Sequence, residues 1–176
     1  FKLADGAVTF RCEHDGLTTD HAYPRNLTDP HTAVSGGTTY NPTTGVLQIQ
    51  TASPHGLATG DWIKISENSL TFRCDEDSQA TDHTYPRSSD PVNGRWLKIT
   101  YVNASKFTVV VLDSVPSTNT TTHVCTATAA GGILSKRDPM HDNSIPITAI
   151  TATSITFNVL NTAPSTNTTT HVFQSA

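Results

Sequence analysis

A chain of 176 residues with a net charge of −4, 35% hydrophobic and only 15% charged residues can build one ordinary domain or two small ones around a real core. No stretch carries the clustered Lys and Arg of a nucleic-acid binder, and no apolar run reaches the roughly 20 residues needed to cross a bilayer, so neither nucleic acid nor membrane insertion is expected. Thr is extreme at 31 residues, with 15 Ser, ten Gly and ten Pro, and no sustained 3.6-residue apolar period; this argues against a Rossmann fold, a TIM barrel, a helical bundle or a coiled coil, and predicts an all-β protein.

Period-two alternation places the strands in chain order. Val8, Phe10 and Cys12 share one face of the first. Leu47 and Ile49 alternate with Gln48 and Gln50, and Ile63 and Ile65 flank Lys64. Leu70, Phe72 and Cys74 alternate with Thr71 and Arg73; Leu97, Ile99 and Tyr101 with Lys98 and Thr100; Phe107, Val109 and Val111 with Thr108 and Val110. Ile145 and Ile147, then Ile155, Phe157 and Val159, close the series. Turn chemistry separates these runs at Asn41-Pro42, Thr44-Gly45, Ser53-Pro54-His55-Gly56, Thr59-Gly60-Asp61, Asn93-Gly94 and Gly131-Gly132. The predicted core contains Leu47, Ile49, Ile63, Ile65, Leu70, Phe72, Leu97, Ile99, Phe107 and Val109.

The sequence also repeats itself. Residues 1–25 align with 63–87 at an offset of 62, with 12 of 25 identical; residues 90–124 align with 138–172 at an offset of 48, with 17 of 35 identical. Residues 38–132 therefore read as one complete module, 1–37 as a first half and 133–176 as a second half. The fold class is an all-β barrel or sandwich module flanked by two half-modules. Equivalent positions should share an environment: Phe10 with Phe72, and Ile147 with Ile99.

The pattern Pro54-His55-Gly56-Leu57-Ala58-Thr59-Gly60-Asp61-Trp62-Ile63-Lys64-Ile65, followed by Asn93-Gly94-Arg95-Trp96-Leu97-Lys98-Ile99 and Phe107-Thr108-Val109, resembles a small β-barrel module. That module is common in virion and tail-associated proteins of tailed phages. With the Thr-Phe-Arg-Cys to Tyr-Pro-Arg hairpin inserted, the block resembles a repeat of large structural proteins from phages of aquatic environments. The resemblance implies a structural part rather than a catalyst. The departure is that here the copies at the termini are split into halves.

Candidates for chemistry are few. Asp75, Asp77 and Asp82 lie in one short hairpin loop and are weak candidates for a hard cation; read locally, they are solvated turn residues. Arg25 and Arg87 follow Pro at strand ends and should pair locally, with Asp29 and Asp90. The histidines recur with their modules (His21 with His83, His123 with His171), which suits packing better than catalysis. No nucleophile elbow, HExxH or phosphate-binding Gly loop is present, so no enzyme and no cofactor are expected. The odd number of cysteines leaves at least one of Cys12, Cys74 and Cys125 unpaired; they read as small buried strand residues, with a Cys12–Cys74 disulfide left open. Asn26, Asn103, Asn119 and Asn167 head N-glycosylation sequons and are weak candidates for glycans.

The expected function is a non-enzymatic structural subunit of an extracellular or virion-surface filament, a homopolymer. The alternative is a carbohydrate-binding or adhesive module of a phage tail fibre, for which Trp62 and Trp96 would be the exposed aromatics. The lack of an initiator Met and of a signal peptide reads as a processed product or a fragment. Assembly is assigned to Val8, Phe10, Cys12, Ile145, Ile147, Ile155, Phe157 and Val159, because isolated half-modules would expose these faces. The halves can meet within one chain or between chains, and head-to-tail joining between neighbours is the favoured expectation. Neither half holds a counterpart of residues 43–61, so the composite module should lack a first strand.

Overall fold

A computed structural model of the chain describes residues 1–25, 28–111, 123–136, 138, 140–142, 144–158 and 171–175. The expected sites at Asn26, Asn119, Val159 and Asn167 fall outside these residues. The protein is all-β; among the described residues the helical segments are single 3₁₀ turns of three residues.

Sixteen strands are described. They are β1 (Val8–Cys12), β2 (His21–Tyr23), β3 (Thr28–His31), β4 (Thr39–Asn41), β5 (Val46–Gln50), β6 (Trp62–Ile65), β7 (Leu70–Cys74) and β8 (His83–Tyr85). These are followed by β9 (Leu97–Lys98), β10 (Thr100–Asn103), β11 (Lys106–Val110), β12 (His123–Thr128), β13 (Ile133–Lys136), β14 (Ala149–Ile150), β15 (Ile155–Thr156) and β16 (His171–Ser175). The chain divides into two compact units, a central one of Asp29–Ser135 and a terminal one of Phe1–Thr28 with Lys136–Ala176.

The central unit has a seven-stranded sheet in the order β10-β11-β5-β4-β12-β7-β8 and a four-stranded sheet in the order β3-β13-β6-β9. One core joins them: Leu47, Ile49, Leu70, Phe72, Phe107, Val109 and Cys125 from the first sheet pack with Ile63, Ile65 and Ile133 from the second. The result is a sandwich with barrel-like character. Alternation sets which face is buried, since a one-residue slip would turn the whole apolar set to solvent. The β4–β5 hairpin turns through Asn41, whose Oδ1 accepts from the amides of Thr43 and Thr44 at 3.0 and 3.2 Å, and ends on Gly45 at φ +66°, where a side chain would be strained.

Nine of the ten expected core residues are buried, and Leu97 is partly buried against them. Tyr101 departs from its expected face. It follows Ile99 by two residues, yet Ile99 is 2% exposed and Tyr101 45%. At Ile99 the chain leaves the sheet of β9 and enters that of β10, so the period-two pattern does not carry across the corner. All three cysteines are buried and in no disulfide, so the Cys12–Cys74 bridge is not formed; burial pushes the Cys125 thiol above its ordinary value.

In the terminal unit, β16-β1-β2 form one sheet and β14-β15 another. The two termini meet within one chain. Joining between chains, favoured from the sequence, is therefore not needed to pair the halves. A tethered strand reaches its partner at a high effective concentration, without the entropy cost of bringing two molecules together. The registers match those of the central unit. Cys12↔His171, Arg11↔Val172, Phe10↔Phe173 and Thr9↔Ser175 correspond, by the offsets of 62 and 48, to Cys74↔His123, Arg73↔Val124, Phe72↔Cys125 and Thr71↔Ala127. Even the irregularity in the ladder falls at the same step. The Phe1 nitrogen donates to the Ile145 carbonyl at 3.0 Å, and the Ile145 amide donates to the Phe1 carbonyl at 2.8 Å. Their counterparts, Ile63 and Leu97, are paired in β6 and β9.

A partly buried polar clamp in the central unit went unforeseen. His31 Nε2 lies 2.8 Å from the Ser135 hydroxyl, which donates to the Asp29 carbonyl at 3.4 Å. Burial pushes the His31 imidazole below its ordinary value; Asp29 pulls it partly back and His55 pushes it further down. The unfolded chain then binds the His31 proton more readily than the folded one, so this group's contribution is intact above the ordinary histidine value and is lost as pH falls through it. Thermal unfolding of the central unit should begin at lower temperature at pH 5.5 than at pH 7.5, and His31→Gln should flatten that dependence in a pH series of melting curves.

Candidate functional site

The charged residues singled out from the sequence serve the fold locally. Arg73 Nε donates to Asp82 Oδ1 at 2.6 Å, and Arg11 Nε to Asp20 Oδ1 at 2.6 Å, a repeat-equivalent pair. The Arg73 hydrogen bond holds the Asp82 carboxyl below its ordinary range. Asp77 is likewise lowered, first by a hydrogen bond from Thr81, and its Oδ1 accepts from the Ala80 amide at 3.3 Å. Asp75 accepts from the Gln79 amide group. Asp75, Asp77 and Asp82 thus turn to separate partners, and among the described residues no group of three metal-ligating side chains converges.

Arg87 pairs with Asp90 as expected, through its guanidinium at 2.8 Å and its backbone amide at 2.8 Å. Arg25 does not pair with Asp29 in this way. Its amide donates to Asp138 Oδ2 at 3.0 Å, with Nε 4.0 Å from the same oxygen. Asp138 is the counterpart of Asp90, so the terminal unit rebuilds the pair from residues 113 apart in sequence. The signal was already present in the second repeat, which begins at Asp90 and Asp138.

The histidines follow the same pattern. His55 is buried, with Nε2 donating to the Asn103 carbonyl at 2.9 Å and Nδ1 accepting from the Leu57 amide at 3.0 Å. Its ring packs edge-on against Phe107 and Tyr101. Ser135 beside His31 is 2% exposed. Asn103 is exposed, and its Oδ1 accepts from the Ser105 amide at 3.0 Å.

The two tryptophans bear on sugar binding. Trp62 lies in β6 and Trp96 just before β9, both half-buried. Lys98 Nζ stands 5.0 Å from the Trp62 ring centre, and Lys64 Nζ stands 4.6 Å from that of Trp96. Each indole thus already carries an ammonium over its face.

What remains is a set of exposed apolar side chains on the terminal unit. Of the residues assigned to assembly, Cys12 and Ile145 are buried, Val8, Phe10 and Phe157 are half-buried, and Ile147 and Ile155 are exposed. Ile147 therefore does not share the environment of Ile99, and Phe10 is less enclosed than Phe72. Phe1 packs edge-on against Phe157 with centroids 4.7 Å apart, and Phe10 against Phe173 at 5.9 Å. Ile147, Ile155 and Phe173 are 43%, 45% and 55% exposed, whereas their counterparts Ile99, Phe107 and Cys125 are 2%, 0% and 5% exposed. The sequence marks these positions as core, and the terminal unit leaves them uncovered.

Compared with protein-family models, with curated proteins and with solved structures, the chain matches none of them.

Proposed function

We propose that the chain is a non-enzymatic structural subunit of an extracellular or virion-surface assembly, in which each chain closes its second module with its own termini and associates through the edge that this closure leaves open. The observation that carries the reading is the exposed trio Ile147, Ile155 and Phe173, at positions whose counterparts are buried in the central unit. Large apolar side chains left exposed are costly in water and favour association. The recurrence of Arg–Asp pairs at equivalent places supports a scaffolding role, because a reaction needs its acid or base once rather than in every module. The likeness of Pro54–Ile65 and Asn93–Ile99 to phage structural modules points the same way. Lysines over both indoles speak against the sugar-binding alternative, since pyranose rings would have to displace them.

The test is concentration-dependent assembly of the purified chain, followed by sedimentation and negative-stain microscopy. Filaments or ordered arrays that dissolve in Ile155→Lys are the expected result. A chain that stays monomeric at every accessible concentration overturns the reading.

A further inference from the structure

Two turns at equivalent places in the repeat share a backbone and differ in chemistry. The Asn93 amide donates to the Asp90 carbonyl at 2.9 Å, and the His141 amide donates to the Asp138 carbonyl at 3.1 Å. By the offset of 48 these are the same positions. The next residue has positive φ in both turns, Gly94 at +71° and Asp142 at +56°. Asp142 shows that this backbone accepts a residue other than glycine, as short polar side chains do in the left-handed region. What glycine changes here is the reactivity of the residue before it.

Asn93 is the one asparagine of the chain followed by glycine. An asparagine side chain can bring its amide carbon to the next backbone nitrogen and close a cyclic imide. The structure leaves that closure open at Asn93. The Gly94 amide, which supplies the attacking nitrogen, donates to no acceptor among the described residues. Apart from its chain neighbours, no atom stands within 4 Å of where a Cβ would sit at Gly94, so nothing crowds the ring. Gly94 is exposed and Asn93 half-buried, so water reaches the product. The turn is closed by the Arg95 amide on the Val92 carbonyl at 3.1 Å and by Asn93 Nδ2 donating to Glu67 Oε2 at 3.2 Å, an exposed contact. Exposed turns of this kind open locally at small cost, which frees the side chain to swing onto Gly94. Other asparagines are blocked. Pro42 after Asn41 has no N–H, and the Ser69 amide after Asn68 is held by the Ser66 carbonyl at 3.2 Å.

We infer that Asn93 is a self-modifying site, converted with water as the only co-reactant to aspartate and isoaspartate. The Gly94 nitrogen attacks Asn93 Cγ. A new N–Cγ bond forms as the Cγ–Nδ2 bond breaks, and the Gly94 amide proton leaves with Nδ2 as ammonia. Water then opens the imide. Addition at Cγ gives aspartate with the original backbone; addition at the backbone carbonyl carbon gives isoaspartate, whose main chain runs through Cγ. Either product sets a carboxylate where an amide donor faced Glu67, so a hydrogen bond is replaced by like-charge repulsion. Isoaspartate also lengthens the main chain inside the hydrogen bond from Arg95 to Val92, in the turn that leads into β9. The equivalent turn of the terminal unit carries His141 and Asp142 and has no such chemistry. The reaction is intramolecular and does not depend on assembly.

The test is incubation of the folded full-length chain in mildly alkaline buffer, followed by tryptic peptide mapping. The fragment 88–95 is expected to gain about one dalton and to split into two chromatographic species, aspartate and isoaspartate, with an equivalent of ammonia released. The Arg95 amide should lose hydrogen-exchange protection as the product accumulates. Gly94→Asp should slow the conversion at least about tenfold while leaving circular dichroism unchanged, since the equivalent turn already carries Asp142 at positive φ.

Three results overturn the inference: a folded chain that keeps its mass while the urea-unfolded chain converts, which would mean that the turn protects Asn93; a mass gain that comes first at another asparagine; or a conversion rate in Gly94→Asp equal to that of the unsubstituted chain.

Discussion

Phe107→Ala will cost the central unit about 3–5 kcal/mol of stability, while Ile155→Ala in dilute solution will leave stability within about 0.5 kcal/mol. These are equivalent positions, 48 residues apart in the second repeat. Phe107 is fully buried, pairs with Ile49 across β5, and receives the edge of the His55 ring at a centroid distance of 5.2 Å. Truncating it removes apolar burial and leaves a cavity that a two-sheet sandwich closes only partly. Among the described residues Ile155 pairs only with Ile150, in a two-residue strand, and it is 45% exposed, so truncation removes little that was out of water. Urea unfolding of both variants, followed by circular dichroism, reads the difference. Equal costs would show that the terminal module is filled in solution, and the open edge would lose its physical basis.

The second large effect falls on Asp138. It is fully buried, accepts from the Arg25 amide at 3.0 Å and from the Met140 amide at 3.0 Å, and sits within ion-pair range of the half-exposed Arg25 guanidinium. Asp138→Ala strands two amide donors and is expected to cost about 2–4 kcal/mol of terminal-unit stability. Asp138→Asn keeps one acceptor and the shape, so its cost should be roughly half as large. The amides of Arg25 and Met140 should lose hydrogen-exchange protection in Asp138→Ala while those of the central unit keep theirs. Unchanged protection at both amides would mean that Asp138 does not hold the two ends together.

This pair also explains why the terminal unit closes on itself. Residues 1–25 and 138–175 carry three complementary features that the central unit also uses: the β1–β16 ladder, the Phe1–Ile145 backbone exchange and the Arg25–Asp138 bond. Each is individually modest, but all are satisfied at once when the termini meet. A chain that brings its own complement needs no neighbour for this step.

Much of this was legible in the residues. Strict alternation in Leu47–Gln50, Ile63–Ile65, Leu70–Cys74 and Phe107–Val109 specified strands and their buried faces, because the side-chain period of a strand is two and only one face meets the core. The two repeats show which segments are equivalent, and once the β7–β12 register is known their offsets name the partners in the β1–β16 ladder. Three things lay beyond local pattern. Tyr101 is exposed because the chain changes sheet at Ile99, and a corner between sheets leaves no mark on alternation. Arg25 takes Asp138 rather than the nearer Asp29, because the carboxylate is chosen by where the module folds and not by distance along the chain. Ile147, Ile155 and Phe173 carry core-type sequence without core burial, since burial requires a covering strand as well as an apolar side chain. Sequence thus determined which surfaces are made to be covered; only the tertiary structure decided which of them are, because cover is supplied by segments remote in the chain.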